Sequence, residues 1–335
     1  MPEMRHNIAL DVMGGDHAPD EIVLGAVKAA QAEDINLLLV GDRDEIERIL
    51  PDNRLENISI VPSYGVITED DHPLEGMKRK PEASIIVAAG LVREGLAHAY
   101  VSMGSTGATM AAGIMALGTL DGIDRPALGG PFLGLVPNTT IIDIGSNVDS
   151  KPSQLLSYGV LGSVFAKLFS GLESPRVGLL SVGSEKTKGN RQVRETYDMF
   201  KESGLNFIGN IEGIDIPMGN VDVVVCDGFV GNILMKYTEG LGIAFADYIK
   251  TRISPELAFE VGALLSELTN LTNYGAHLGG SPLLGLNGVG IVGHGRSHSD
   301  SVAAAVSLAK VALDRGLVPL MRDELANIRQ QLKMD

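Results

Sequence analysis

One cysteine, Cys226, and no tryptophan occur in the 335 residues. A single thiol excludes a disulfide framework within the chain and a cysteine-based zinc site. No apolar run is long enough to span a bilayer as a helix, and no secretory signal pattern is present, so the expected location is the cytoplasm. Aromatics are scarce, with 8 Phe and 7 Tyr, which leaves the core to Ala, Val, Leu and Ile within a 44% apolar composition. Cations are outnumbered as well: 27 Lys and Arg against 42 Asp and Glu give a net charge of −15. A nucleic-acid partner is excluded on that ground, because such a surface needs a basic face. No Walker A sequence and no G-x-S-x-G nucleophile elbow occurs. Cys226 ends an apolar strand, where a thiol reads first as a small buried hydrophobe and second as a nucleophile.

Glycine, by contrast, is abundant at 41 residues, gathered at the ends of apolar runs where it marks turns. Runs ending near Val12, Ser102, Ile144, Val182, Cys226 and Val292 each enter Gly with Ser, Thr, Asn or Asp, and helical patterns follow. Strands at Ile35–Val40 and Ile58–Val61 and a long helix over Glu75–Gly95, despite Pro81, complete the pattern. Strands alternating with helices predict βαβ units: an α/β fold of three α/β/α layers with a mostly parallel sheet. In such folds ligands bind beyond the carboxyl ends of the strands, so these loops are expected to contribute to one cleft. Leu257, Val261, Leu264, Leu265, Leu268 and Leu271 form an apolar stripe opposed by Glu256, Glu260 and Glu267. It reads as core or a subunit interface, with a membrane surface as the alternative that the acids oppose.

Gly183 to Asn190, Gly-Ser-Glu-Lys-Thr-Lys-Gly-Asn, is the most informative loop. It joins an apolar strand to a helix start, where free backbone N–H groups and the helix dipole favour an anion. Lys186, Lys188, Arg191 and Arg194 crowd it in an otherwise acidic chain. Lys188 therefore reads as an anion holder rather than a solvated surface lysine. Asn232, after Gly231, is a helix cap or an amide donor to an oxyanion. Gly288-Val-Gly-Ile-Val-Gly293 matches the dinucleotide pattern literally, but its glycines precede and interrupt a strand instead of following one. Gly104-Ser-Thr-Gly107 follows a strand but lacks the last glycine, so no nucleotide cofactor is expected. His294 and His298 lack a third ligand at matching spacing, and no metal is expected. His17, beside Asp16, stays open as base, phosphate donor or turn residue.

Taken together, Asp11-Val-Met-Gly-Gly-Asp16, Ser102 to Ala108, Asp143-Ile-Gly-Ser-Asn-Val-Asp149, Gly183 to Asn190, Cys226 to Asn232 and Gly279 to Gly285 resemble, in order, the phosphate acyltransferase of bacterial phospholipid synthesis, the PlsX family. The resemblance runs from about residue 5 to 315. It implies an isocitrate/isopropylmalate dehydrogenase-like fold, taken as a single α/β/α domain over 5–330. A helical extension near 238–275 would serve dimerisation or membrane contact. It also implies reversible transfer of a long-chain acyl group from acyl carrier protein to inorganic phosphate, by direct attack of phosphate on the thioester. A homodimer, a membrane glycerol-3-phosphate acyltransferase as a further partner, and peripheral contact with the inner face of the cell membrane complete the picture. The family's active-site lysine and asparagine fall on Lys188 and Asn232. Phosphate or substrate contacts fall on Asp11, Gly14, Gly15, His17, Ser105, Thr106, Gly107, Asn147, Gly183, Glu185, Gly189, Asn190, Asp227, Gly228, Gly231, His294 and Arg296. Lys78-Arg79-Lys80 reads either as a solvated helix face or as the basic patch that docks the acidic carrier. Ser184, Ser105, Val230, Arg296 and Ala83 depart from the residues usual in the family. The alternatives are a phosphotransacetylase-like enzyme using acyl-CoA and a non-enzymatic scaffold built on the 257–271 stripe.

Overall fold

The computed structural model describes residues 5–51 and 55–332, without the side chains of 255, 256, 258, 276 and 277. The Glu256 side chain of the expected stripe thus lies outside the described residues. The chain divides into two compact units, Met1–Pro126 with Leu278–Leu320, and Ala127–His277 with Met321–Asp335.

Up to Pro126 the elements are β1 (His6–Asp11), α1 (Asp20–Ala32), β2 (Ile35–Gly41), α2 (Arg43–Ile49), β3 (Ile58–Pro62), α3 (Pro73–Arg79), α4 (Ser84–Arg93), β4 (Ala99–Ser102) and α5 (Thr106–Leu117). Then come β5 (Ala127–Pro131), β6 (Thr140–Ile142), α6 (Pro152–Ser170), β7 (Val177–Leu180), α7 (Arg191–Glu202), β8 (Phe207–Ile211), β9 (Val223–Val225), α8 (Gly228–Lys250), α9 (Pro255–Glu260), α10 (Gly262–Thr272) and α11 (Tyr274–His277). The chain finishes with β10 (Ser281–Leu284), β11 (Val289–Val292), α12 (Ser299–Asp314) and α13 (Leu317–Leu332).

In the first unit the strand order is β3-β2-β1-β4-β11-β10, parallel except for the β10–β11 pair. The strands are short apolar runs, and β4 and β11 are buried at every residue, as expected where helices cover both faces of a parallel sheet. Helices α1 and α12 pack together against one face, α4 and α5 against the other. In the second unit the order is β5-β6-β9-β7-β8, parallel except for β5–β6. Side chains alternate across this sheet. Ile142 and Val223 face α6, whose Gly162 lies so close that a Cβ there would meet Val223 Cγ1 at 2.5 Å. On the other face Ile141, Val224 and Cys226 join Phe132, Leu133, Ile211, Ile216 and Val221 in a buried cluster, against which Val230 and Leu234 of α8 pack. The expected three-layer α/β/α fold with a mostly parallel sheet is what forms.

Two expectations are corrected. The helix over Glu75–Gly95 is two helices, α3 and α4, separated at Lys80–Ala83. Pro81 lacks the amide a continuous helix needs, and it disfavours the helical conformation in the residue before it. The 257–271 stripe is also interrupted: α9 ends at Glu260, and Val261 is the junction from which α10 starts. As a result Leu265 is buried, while Leu257 and Leu264 are 44% and 63% exposed, so these leucines do not share one buried face. Among the described residues no helix is long and apolar enough to cross a membrane.

Candidate functional site

Strands β6, β9 and β7 are adjacent and parallel, so the loops after them emerge at one edge of the second unit. The loop after β6 is organised by Asp143, a residue with no exposed surface. Its Oδ1 accepts from Leu128 N (3.2 Å), Gly145 N (3.3 Å), Ser146 N (3.1 Å) and Ser146 Oγ (2.6 Å), and its Oδ2 from Asn147 N (2.6 Å) and Asn147 Nδ2 (3.3 Å). Burial raises the Asp143 pKa, and the hydrogen bonds from Ser146, Asn147 and Leu128 pull the other way. The amides of residues 145–147 therefore point inward at a carboxylate. Asn147, expected to face substrate, is 4% exposed and donates to Asp143 instead.

Asp227 caps α8: it is 7% exposed, and its Oδ1 accepts from Val230 N at 2.9 Å while Oδ2 accepts from Gln192 Nε2 of α7. Capping is what an aspartate at this position does best, leaving an acceptor for a second donor. Gly228 N donates to Asn147 O at 2.8 Å, which ties the start of α8 to the Asp143 loop. Gly228 and Gly231 are buried because backbone lies against them; a Cβ on Gly231 would sit 1.9 Å from Asp143 O. Asn232 is therefore not the cap. It stands one turn into α8, exposed, with its side chain against Gly145, whose φ is +139° and whose missing Cβ would lie 3.4 Å from Asn232 Oδ1. Cys226 is 5% exposed, and burial first, then the Asp227 and Asp143 carboxylates, push its thiol pKa well up. It is a small buried hydrophobe.

The loop after β7 ends in Asn190, which caps α7 by accepting from Val193 N at 3.0 Å. Gly189 takes φ +99° where a Cβ would overlap Val193, so glycine is needed there. Gly183 is buried, with the Glu185 carboxylate and the Lys188 stem against the space a Cβ would take. The crowd of cations thins on inspection: Lys186 pairs with Asp198 (2.6 Å), Arg191 with Glu195 (2.6 Å), and Arg194 donates to Gly189 O (3.1 Å). Lys188 is exposed and makes no ion pair among the described residues.

An open groove of about 700 Å³ is lined by Val148, Asp149, Pro152, Asn190, Arg191, Gln192, Glu195, Asp227 and Phe229. These residues belong to the starts of α6, α7 and α8 and to the loop after β6. Arg191, Gln192 and Phe229 sit in first helical turns, where amides lack partners inside the helix, and no hydrogen bond from them occurs among the described residues. Of the three acids lining the groove, Glu195 is paired with Arg191 and Asp227 is held by its cap bond and Gln192, while Asp149 is exposed and has no ion pair among the described residues. Helix starts with open amides attract an anion.

The first unit holds the other expected residues. Asp11 is 2% exposed and accepts from Ser102 Oγ (2.6 Å) and Met13 N (3.2 Å), while Ser102 Oγ accepts from Gly104 N (3.0 Å). Burial raises its pKa, with the Ser102 bond opposing. Asp11 thus clamps the loops after β1 and β4 to each other, with no surface left for a substrate. Gly14 makes room for the Asp11 carboxylate, since a Cβ would come 2.6 Å from Oδ2, and Gly15 lies against Met103 O and Gly295 O. His17 stacks on His298 with ring centroids 4.5 Å apart, so the histidine facing His298 is His17 rather than His294. Ser105, Thr106 and Gly107 open α5; His294 and Arg296 lie in the loop after β11, Arg296 exposed. Among the described residues no group of three or more His, Cys, Asp or Glu could hold a metal ion.

The family model described as "Fatty acid synthesis protein" matches residues 6–319. The phosphate acyltransferase of Desulfitobacterium hafniense (strain DSM 10664 / DCB-2) is 43% identical over 325 residues, 95% of this chain and 97% of that protein. The chain belongs to the phosphate acyltransferase family. It is an acyltransferase. The phosphate acyltransferase of Pelotomaculum thermopropionicum is 43% identical over 331 residues, 96% of this chain and 95% of its own. A phosphotransacetylase from Streptococcus pyogenes superposes with a TM-score of 0.62 at 15% identity, over 92% of this chain and 94% of that one. A 4-hydroxythreonine-4-phosphate dehydrogenase from Klebsiella pneumoniae gives 0.51 at 14%, over 92% and 98%. At these identities the likeness shows a common fold.

Within this acyltransferase, Asp143, Ser102 and Gln192 escaped the sequence reading. Asp143 and Ser102 stand inside the glycine motifs, each at or beside the end of a strand before glycine, and that position is the signal the sequence offers. Nothing in the sequence pointed to Gln192 as a partner of Asp227.

Proposed function

We propose that the enzyme transfers a long-chain fatty acyl group from the thioester of acyl carrier protein to inorganic phosphate, reversibly giving acyl phosphate for phosphatidic acid synthesis. The observation that carries this is the groove of the second unit, where the open amides of the α7 and α8 starts meet beside Asn190, two residues from Lys188. Phosphate held there needs no enzyme nucleophile, because an ionised phosphate oxygen attacks the thioester carbonyl carbon itself. A tetrahedral oxyanion forms, the C–S bond breaks, and the electron pair leaves on the carrier's sulfur. A thiol of pKa about 8.5 departs with little help from an acid. Lys188 holds the attacking phosphate, and the Asn232 amide donates to the oxyanion, one such donor contributing about 10²–10³ in kcat. The buried, protonated Cys226 takes no part.

Purified enzyme with acyl carrier protein thioester, phosphate and hydroxylamine should yield acyl hydroxamate, and Lys188→Ala should abolish it. No hydroxamate from the wild type, or full yield from Lys188→Ala, sinks the reading. Acyl-CoA used as well as the carrier thioester would move the enzyme to the phosphotransacetylase class.

The carrier docks, in this reading, at residues 78–80. Arg79 and Lys80 are tied to Asp71 at 3.3 and 2.7 Å, which leaves Lys78 as the exposed cation without a partner among the described residues. A homodimer uses the helices over 238–275, supported by exposed Phe245, Tyr248, Leu257 and Phe259. The enzyme works in the cytoplasm, in peripheral contact with the membrane that holds the consumer of its product.

A further inference from the structure

The geometry points to Asp143 as a positioning residue for acyl transfer, acting through Asn232; the inference rests on the reading of Asn232 as the oxyanion donor. Asp143 touches no solvent and so no substrate. What it does is bend the chain. Each of its oxygens accepts from backbone amides and side-chain donors of residues 145–147, so the loop closes on the carboxylate. That closure has two consequences at α8. It lays Gly145, with no Cβ and a φ of +139°, flat against the Asn232 side chain. It also presents Asn147 O to Gly228 N at 2.8 Å, fixing where the helix bearing Asn232 begins. Gly231 packs on the Asp143 carbonyl from the same side, so α8 rests on this residue through both its backbone and its side chain. An amide donor works on an oxyanion only when held in place beforehand, and the Asp143 loop is what Asn232 leans on.

Asp143→Asn keeps the shape and removes the charge. Whichever way its amide turns, an NH2 faces donors, because both carboxylate oxygens accept from N–H groups. The loop must open, and Asn232 loses its support.

The test is a double-mutant cycle read by hydroxylamine trapping. Asp143→Asn alone should lower kcat about 10²-fold, the cost of a displacement of ~1 Å at a reacting group, with KM for phosphate little changed. Added to Asn232→Ala it should cost no more than about twofold further, since residues acting through one another are not additive. Added to Lys188→Arg it should keep its full effect. Asp143→Asn multiplying fully onto Asn232→Ala overturns the inference and leaves the proposed function standing. Wild-type activity in Asn232→Ala overturns both. Where Asp143→Asn fails to fold, Ser146→Ala replaces it, deleting the 2.6 Å bond to Asp143 while keeping the acid, and is judged by the same additivity.

Discussion

Gly231→Ala and Gly240→Ala are the same substitution on the same helix, and they should act in opposite directions. At Gly240, on the exposed side of α8, nothing lies within 4 Å of the new methyl. Alanine there should stabilise by about 0.5–1 kcal/mol, the propensity difference inside a helix. At Gly231 the methyl would lie 1.9 Å from Asp143 O, 2.9 Å from Asp143 C and 3.2 Å from Cys226 Sγ. The first two are backbone atoms and cannot swing aside. Relieving the overlap means moving the start of α8 by ~1 Å, and overpacking of this kind costs about 1–3 kcal/mol or more. Set against the same propensity gain, Gly231→Ala should lose ~1–2 kcal/mol. Because that turn carries Asn232, the displacement should also cost on the order of 10²-fold in rate. Urea unfolding gives the stabilities, and trapped acyl hydroxamate gives the rates. If Gly231→Ala matches Gly240→Ala in stability and wild type in rate, the close approach of α8 to Asp143 is refuted.

Asp71, bonded first by Lys80 and then by Thr68 N, has its carboxyl pKa lowered from 3.8 to about 2. A depressed pKa gives stability that is present above the unfolded value and lost as pH falls through the folded one. Asp71→Asn should therefore lower Tm at pH 7, with the gap to wild type closing between pH 3.8 and about 2 in a calorimetric pH series. Cys226, with its thiol pKa raised by burial, should not react with a disulfide reagent in the native enzyme and should react fully after unfolding. Native-state modification at the rate of a free thiol would contradict its burial.

The fold was legible wherever local chemistry and final structure agree. The apolar runs at Ala99 and Val289 became strands buried on both faces, and that at Ile35 a strand buried on one face and partly on the other. Asn190, expected as a phosphate or substrate contact, caps α7. Three strands escaped for particular reasons. β5 reads Ala-Leu-Gly-Gly-Pro, a turn by composition, yet Gly129 is there because a Cβ would meet Ile142 Cβ at 2.9 Å. β8 is broken by Gly209 at φ +101°, and β10 carries Pro282 inside a four-residue strand. In the site, local sequence identified the loops but not which way their polar groups turn. Asp11, Asn147, Asp227 and Gly231 are substrate contacts in what the family resemblance implies. Their partners are Ser102, Asp143, Gln192 and the Asp143 carbonyl, brought in from elsewhere in the chain, and only the fold reveals them.

Lys188 differs from most of the cations around it in having no carboxylate partner among the described residues. A loop crowded with Lys186, Lys188, Arg191 and Arg194 in a chain of net charge −15 implies a diffuse positive field. A diffuse field attracts phosphate but cannot orient it, and exposed charges farther apart than a Debye length of about 8–10 Å scarcely cooperate at physiological salt. The carboxylates of Asp198 and Glu195 neutralise two of these cations, and Gly189 O occupies an N–H of a third. What is left without a carboxylate among the described residues is the Lys188 ammonium and the Arg194 guanidinium, three residues to either side of Arg191, the first residue of α7. Asp198 and Glu195, each paired with a cation, therefore do not weaken the case for an anion site, whereas Asp149 is the exposed acid at the groove that opposes it. With Lys186 and Arg191 paired off, the Lys188 and Arg194 charges remain beside the α7 start, and the proposed phosphate site rests on them together with the directed N–H groups of that helix start.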